Sequence, residues 1–183
     1  MRWFLNLAKA LLVLVALLAV IGLLLPGQRQ VVRSVEIKAT PAEVWPWIAE
    51  PRKWASWSPW LAKDPQTQMQ YEGPISGEGA GWTWSSQSQG HGHMRFVKAQ
   101  APQQLGFEMV FEDTGMKATG DFTLTAVGER TKVQWRMDAN LGLNPLARWF
   151  GLGLDALVGT DFEAGLASLA NQVPSQAAVP TTP

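Results

Sequence analysis

Apolar and polar residues alternate along several short segments between residues 82 and 138, and this alternation limits the possible folds more than any other feature. In segment 105–111, leucine, phenylalanine and methionine occupy every second position, and segments 118–126 and 133–137 repeat the pattern. Period-two alternation is typical of strands with one buried face. Short turns containing glycine, at residues 113–115 and 128–130, separate the segments. The sequence therefore predicts an antiparallel meander with one solvated face and one covered face.

The covered face of this sheet carries large apolar side chains and almost no ionisable group. Each such side chain stabilises a fold by about 1.5–3 kcal/mol when buried, so a solid core would account for all of them. Methionine and aromatic side chains also line adaptable apolar pockets, and the residue types alone leave both interpretations open. The candidate lining of a pocket is Trp82, Trp84, Met94, Phe96, Phe107, Met109, Phe111, Phe122, Trp135 and Met137.

A strand and a capped helix precede the meander. Residues 31–39 alternate in the same way, and Thr40 follows where a helix N-cap is expected. Pro41 suits the first helical position, where its missing N–H costs nothing. Glu43 is spaced to form a capping box with Thr40. The helix should end at Glu50, because the next residue is a proline and the residue before proline avoids the α region.

Three tryptophans, Trp54, Trp57 and Trp60, then follow at a spacing of three on a predicted short helix that ends at residues 58–59. In one interpretation they close one end of the core. In the other they form a rim that faces a membrane, because tryptophan favours bilayer interfaces.

A C-terminal helical region is predicted to cover the sheet. Asn144 and Pro145 suit the N-cap and the first helical position. Thr160 and Glu163 have the spacing of a second capping box, which predicts a break and restart near Gly159. After the restart, four apolar residues at helical spacing form one stripe. They are Phe162, Leu166, Leu169 and Val173.

The order of these motifs resembles a known family. The strand, the segment PAEVWPWIAEPRKWASWSPW, the glycine-containing meander and the C-terminal DFEAGLASLANQV are together similar to the polyketide cyclase/dehydrase branch of the START-like (SRPBCC) superfamily, over residues 31–173. The resemblance implies a helix-grip α+β fold, in which a curved antiparallel sheet wraps around a C-terminal helix and two short helices follow the first strand. That fold hosts lipid carriers, cyclases and hormone receptors, so it does not by itself specify an activity.

The N-terminal region is predicted to be a separate transmembrane helix. Residues 3–25 are apolar apart from Asn6 and Lys9, and about 20 apolar residues span a bilayer. A cleaved signal peptide is the alternative, although its apolar core is shorter and a small-residue cleavage site normally follows it. We expect residues 1–28 to be an anchor and linker, 29–173 the START-like domain and 174–183 a disordered tail. We further expect a single-pass protein of a bacterial inner membrane, with its soluble domain in the periplasm.

Charge and composition exclude several classes of function. The chain has 15 basic and 15 acidic residues and no basic stripe, which argues against nucleic acid as a partner. It has no cysteine, so disulfides and thiolate chemistry are excluded. The two histidines, His91 and His93, would share a strand face, but a zinc site normally has three or four protein ligands. We expect no metal and no cofactor.

The sequence identifies no catalytic residue. General acid–base catalysis needs a titrating group beside the substrate. The ionisable residues of the strands fall on the parity opposite to the covered face, where solvation is the ordinary explanation. They include Arg95, Glu108, Glu112, Asp121 and Arg136.

The function predicted from these observations is binding of a hydrophobic small molecule or lipid in an apolar cavity between the sheet and the C-terminal helix. A cyclase or dehydrase enzyme is the first alternative, and a structural or interaction module with a filled core is the second. A bound molecule should lie against Phe107, Met109, Phe122 and Trp135. Its polar end should point to a mouth formed by residues 73–81 and 54–60.

Overall fold

The structure is a computed structural model that describes residues 2–174. Its order of elements matches the predicted helix-grip pattern, with an apolar helix in front and a long helix at the end. The elements are α1 (Arg2–Leu24), β1 (Gln28–Ile37), α2 (Pro41–Ala49), a 3₁₀ helix (Pro51–Ser56), α3 (Pro59–Lys63), β2 (Gln68–Glu72), β3 (Gly81–Ser86), β4 (Gly90–Gln100), β5 (Gln104–Phe111), β6 (Met116–Val127), β7 (Arg130–Asn140), α4 (Pro145–Phe150), a second 3₁₀ helix (Gly151–Gly153) and α5 (Leu154–Gln172).

Within residues 2–174, seven strands form one antiparallel sheet in the order β1-β7-β6-β5-β4-β3-β2. Strands β2 to β7 pair with their sequence neighbours, which confirms the predicted meander, and β1 closes the series by pairing with β7. In this register Phe122 lies opposite Trp135, and Met94 lies opposite Met109. The inward side chains of neighbouring strands therefore meet on one concave face.

The capping box predicted for α2 is present. The backbone N–H of Thr40 donates to the Glu43 carboxylate at 2.7 Å, and the Thr40 hydroxyl donates to the same oxygen at 2.8 Å. The helix predicted to end at residues 58–59 is different. It is a 3₁₀ turn that ends at Ser56, and Pro59 begins α3 instead of ending a helix, because proline fits a first helical position.

The predicted break near Gly159 is wrong, because α5 runs unbroken through it and the interruption falls earlier, at Gly151–Gly153. Gly159 serves close packing, since an added Cβ there would collide with the guanidinium of Arg33. That guanidinium donates to Asp155 at 3.0 Å and to Glu163 at 2.6 Å, which holds α5 against β1. The Thr160 hydroxyl donates back to the Leu157 carbonyl at 2.9 Å rather than capping a helix.

The centre of α5 lies on a ring cluster that fills one half of the concave face. Phe162 stacks on Trp135 with the ring centroids 3.8 Å apart, and Trp135 stacks on Phe122 at 4.9 Å. The indoles of Trp54 and Trp57 complete the cluster and donate to the carbonyls of Ile48 and Trp47, both at 2.9 Å. Trp54 and Trp57 are thus core residues, as the first interpretation of the tryptophan run proposed.

The N-terminal helix α1 is long and apolar enough to cross a membrane, and it is almost entirely exposed. A membrane anchor and a signal sequence both have this character. It meets the rest of the protein only near its C-terminal end, where Gly22 is buried against α4. The tail predicted to be disordered, residues 174–183, lies outside the described residues except for Pro174.

Candidate ligand-binding cavity

An apolar cavity of about 320 Å³ lies beside the ring cluster, between the sheet and the first turns of α5. Helix α3 and strand β2 border it on the remaining sides. The residues that line it come from the first 3₁₀ helix, α3, α5, strands β2 to β7 and the loops between them. They are Trp54, Ser58, Trp60, Leu61, Thr67, Met69, Trp82, Trp84, Gln89, Met94, Met109, Phe111, Met116, Met137, Ala139, Leu154 and Val158.

The structure divides the ten residues predicted from the strand pattern into two groups. Six border the cavity: Trp82, Trp84, Met94, Met109, Phe111 and Met137. The other four, Phe96, Phe107, Phe122 and Trp135, lie in the filled core. Trp54 packs against Phe96 and Phe122, and Phe162 stacks on Trp135. Phe107 packs against Phe122.

Several lining residues were missed by the sequence reasoning. Leu154 and Val158 are four residues apart on one face of α5, and the wrong break near Gly159 hid that periodicity. Met116 is the first residue of β6 and continues its inward parity toward Ala118. Leu61 lies on α3, where the pattern predicted no helix.

The cavity lies at the end of the sheet that adjoins α1. Its floor follows one row of the register, from Met69 through Trp84 and Phe111 to Met116. At the same end of the sheet, β7 finishes opposite Gln28, the first residue of β1, just after α1. The loop at residues 73–81, expected at the mouth, follows the other end of β2 and does not line the cavity.

Polar groups are few in the lining. The side-chain amide of Gln89 donates to the Trp60 carbonyl at 2.7 Å. The Thr67 hydroxyl is buried and has no hydrogen-bond partner within the described part of the chain. A buried hydroxyl without a partner is unfavourable by about 1–3 kcal/mol, so a ligand group that could pair with it would gain that interaction. None of the described residues in the lining is Asp, Glu, His, Lys or Arg.

The ionisable residues on the opposite face are not all solvated. Asp121 is buried there, because the Arg136 guanidinium donates to its carboxylate at 2.7 Å and the Thr123 hydroxyl donates at 3.1 Å. The sequence pattern assigned its parity correctly but could not show that neighbouring side chains cover it.

The two histidines lie on the outer face near the β5–β6 turn, where each faces a carboxylate. His91 Nδ1 is 3.1 Å from Asp113, and His93 Nδ1 is 3.2 Å from Glu112. Hydrogen bonds from the His91 backbone N–H and ring hold the pKa of Asp113 below its usual range. Across residues 2–174, no group of three or more such side chains could hold a metal ion.

Comparisons with known proteins agree with this fold. Residues 28–174 match the family described as polyketide cyclase/dehydrase and lipid transport. Among curated proteins, none matches the chain. Solved structures with the same fold are similar to it at low sequence identity. They include CV1439 from Chromobacterium violaceum (14% identity, TM-score 0.56, 81% of this chain and 97% of that one), CalU16 from Micromonospora echinospora (16%, 0.55, 83% and 78%) and the hypothetical protein jhp0584 from Helicobacter pylori (8%, 0.62, 80% and 88%).

At these identities the solved structures establish the fold alone, whereas the family match covers most of the chain and runs from the start of β1 to the end of α5. The chain therefore belongs to the polyketide cyclase/dehydrase and lipid transport family, and its domain has the helix-grip fold.

Proposed function

We propose that this protein binds a hydrophobic small molecule or the acyl chain of a lipid in the cavity beside α5. The distribution of methionine carries this proposal. The chain has six methionines, and all five that the structure describes line the cavity: Met69, Met94, Met109, Met116 and Met137. Methionine is flexible and polarisable, so a wall of methionines adapts to apolar ligands of different shapes.

The contrast with the neighbouring core supports the same conclusion. The ring cluster around Trp135 is filled by aromatic side chains, whereas the adjacent space is left open and has five methionines beside the aromatic side chains in its lining. A volume of about 320 Å³ falls at the lower end of the range of about 300–1,000 Å³ for ligand pockets. The open space is therefore large enough for a small ring system or part of an acyl chain.

The lining supports binding rather than catalysis. Ser58, Thr67 and Gln89 provide hydroxyl and amide groups, which can orient a ligand by hydrogen bonds. General acid–base catalysis requires a titrating group positioned against the substrate. Nor can the cavity accept a deep charged headgroup, because burying an unpaired charge is strongly unfavourable. The polar end of a ligand should lie toward Thr67 and Ser58.

We also propose that α1 remains attached as a single-pass anchor in a bacterial inner membrane, with the domain in the periplasm. The contacts of α1 with the domain support retention. The Trp149 indole donates to the Leu18 carbonyl at 3.0 Å, and the Arg148 guanidinium donates to the Leu25 carbonyl at 3.0 Å. A signal peptide that is cleaved has no need of such specific contacts with the folded domain.

Photocrosslinking tests the binding proposal. Full-length protein in vesicles is exposed to a fatty acid with a diazirine in its acyl chain, and crosslinked peptides are mapped by mass spectrometry. Crosslinks are expected on the β4, β5 and β7 peptides that carry cavity methionines. Val158→Trp should reduce them, because it places an indole in the cavity, whereas Ala167→Trp on the exposed face of α5 should not.

Crosslinks confined to α1, with none on the cavity strands in any variant, would contradict the proposal. Labelling of α1 then serves as the internal control, because it shows that the probe entered the bilayer.

A further inference from the structure

Helix α4 presents one of its faces to the last turns of α1. Pro145, Arg148 and Trp149 lie on that face, three and four residues apart. A Cβ added at Gly22 of α1 would lie only 2.7 Å from Pro145 Cβ, so the two helices pack as closely as a glycine allows. Small residues at a helix interface permit such close packing within membranes.

These contacts fix the depth of α4 relative to the anchor. The Trp149 indole hydrogen-bonds to the carbonyl of Leu18, which is six residues before the end of α1 at Leu24. At 1.5 Å per residue, this carbonyl lies about 9 Å inside the helix end. The 23 residues of α1 measure about 34 Å, so in a hydrocarbon core of about 30 Å this carbonyl lies about 7 Å below the boundary between acyl chains and headgroups. Tryptophan is enriched at that boundary.

The other face of α4 is apolar and uncovered. Leu146 and Phe150, four residues apart, are 77% and 59% exposed. The residues around them continue the apolar character, and between residues 141 and 154 the only charged side chain is Arg148. Its guanidinium donates to the backbone carbonyls of Leu23 in α1 and of Gly142. We call the exposed set the α4 surface. It consists of Leu143, Leu146, Phe150 and Leu152.

We infer that the α4 surface inserts into the interfacial region of the lipid bilayer beside α1. This inference rests on the membrane anchorage proposed above. At the depth fixed by Trp149, lipid is the medium around the helix, and an uncharged face of leucine and phenylalanine is what the acyl region accepts. A patch of this kind facing water would be unusual for a monomeric domain.

The α4 surface is adjacent in the chain to one wall of the cavity. The chain continues from α4 through Gly151–Gly153 into α5, whose first residue, Leu154, lines the cavity together with Val158. The segment inserted in the bilayer thus leads directly into one wall of the cavity.

Depth-dependent fluorescence quenching tests this inference on the full chain. The protein has no native cysteine, so single cysteines can be introduced at Leu146 and Phe150 and labelled with an environment-sensitive fluorophore. Ile75→Cys and Val127→Cys are matched controls, because these exposed apolar residues lie at the opposite end of the sheet. Leu14→Cys, within α1, reports on the anchor itself. The labelled proteins are reconstituted in vesicles of phosphatidylcholine and phosphatidylglycerol.

Labels at Leu146 and Phe150 should show blue-shifted emission, quenching by spin-labelled lipid and protection from aqueous iodide. Labels at Ile75 and Val127 should show the reverse. If the Leu14 label is in lipid but those at Leu146 and Phe150 are quenched by iodide, the inference is overturned and the anchor stands. If the Leu14 label is also quenched by iodide, the anchor and the inference fail together. Photocrosslinking of the cavity is a separate measurement, so it tests ligand binding independently of the insertion of the α4 surface.

Discussion

Replacing Trp135 with alanine should destabilise the domain by about 3–5 kcal/mol, the range for removing a fully buried aromatic side chain. The indole is 1% exposed and stacks on Phe162 at 3.8 Å with the ring planes 7° apart. It also stacks on Phe122 and meets Trp54 edge-on at 5.8 Å. Each such ring pair adds about 0.5–1.5 kcal/mol beyond simple burial, but alanine also removes the indole N–H, which has no partner within the described residues. Its removal relieves about 1–3 kcal/mol, so the expected loss stays within this range.

Two further variants make the prediction specific. Trp135 Nε1 is buried without a hydrogen-bond partner among residues 2–174, which is unfavourable by about 1–3 kcal/mol. Trp135→Phe removes that donor and keeps a stacked ring, so it should cost less than about 1.5 kcal/mol. Trp84→Ala should cost clearly less than Trp135→Ala, because part of the Trp84 ring already borders open space.

The measurement is guanidinium-induced unfolding of the full-length protein in mild detergent, followed by near-ultraviolet circular dichroism. A loss of stability below about 1.5 kcal/mol for Trp135→Ala would refute the reasoning, because so small a loss requires open space beside the indole. The cavity would then extend as far as Phe162.

Three other predictions concern the cavity and the helix that borders it. Thr67→Val should lower the affinity for an uncharged fatty alcohol about tenfold, as expected for loss of one hydrogen bond of about 1.4 kcal/mol, but leave the affinity for a pure hydrocarbon probe unchanged in fluorescence titrations. A bound apolar ligand should protect the cavity methionines from oxidation by peroxide, which peptide mass spectrometry can measure. Oxidation before ligand is added should abolish binding in titrations, because methionine sulfoxide makes the lining polar. Hydrogen bonds from Arg33 hold the pKa of Asp155 below its usual value. The pair therefore stabilises the docking of α5 at pH values above about 4, the ordinary carboxyl pKa. This contribution to stability is lost as the pH falls through the lowered pKa of the folded state. Asp155→Asn should therefore be less stable than the parent at neutral pH, and its stability should depend less on pH under acidic conditions. Denaturation midpoints measured from acidic to neutral pH test both expectations.

Much of the fold could be predicted from the sequence because its determinants are local. The strand alternation fixes which side chains share a face, and the spacing of Thr40 and Glu43 fixes the start of α2. The stripe Phe162, Leu166, Leu169 and Val173 fixes which face of α5 is buried, and all four residues are in the core. These signals depend only on the period of the element that carries them.

The cavity depends on features that periodicity does not contain. Trp135 and Met137 are two residues apart on one strand and share its inward parity, yet Trp135 is covered by Phe162 and Met137 faces open space. That difference is decided by which side chain of α5 reaches each position. Gly159 likewise suggests a helix break when only the sequence is considered. In the structure it makes room for the side chain of Arg33 from β1, and the two residues are far apart in the chain.

The docking of α4 on α1 also has no local signal. Gly22 is one of several small residues in an apolar helix, and nothing in its neighbourhood indicates that Pro145 and Trp149 pack against it. Its role follows only from the way β1 and β7 bring the two helices to the same end of the sheet.

Native mass spectrometry of the full-length protein, purified in mild detergent from the cells that express it, is the most direct test of ligand binding in the cavity. We expect the purified protein to retain an apolar molecule, which lipid extraction and fragmentation should identify as an acyl chain or ring system. Val158→Trp should lose the adduct, and Ala167→Trp should keep it. A parent protein that carries no apolar adduct, or only small charged metabolites, would contradict the claim that the methionine-lined cavity is a binding site for hydrophobic ligands.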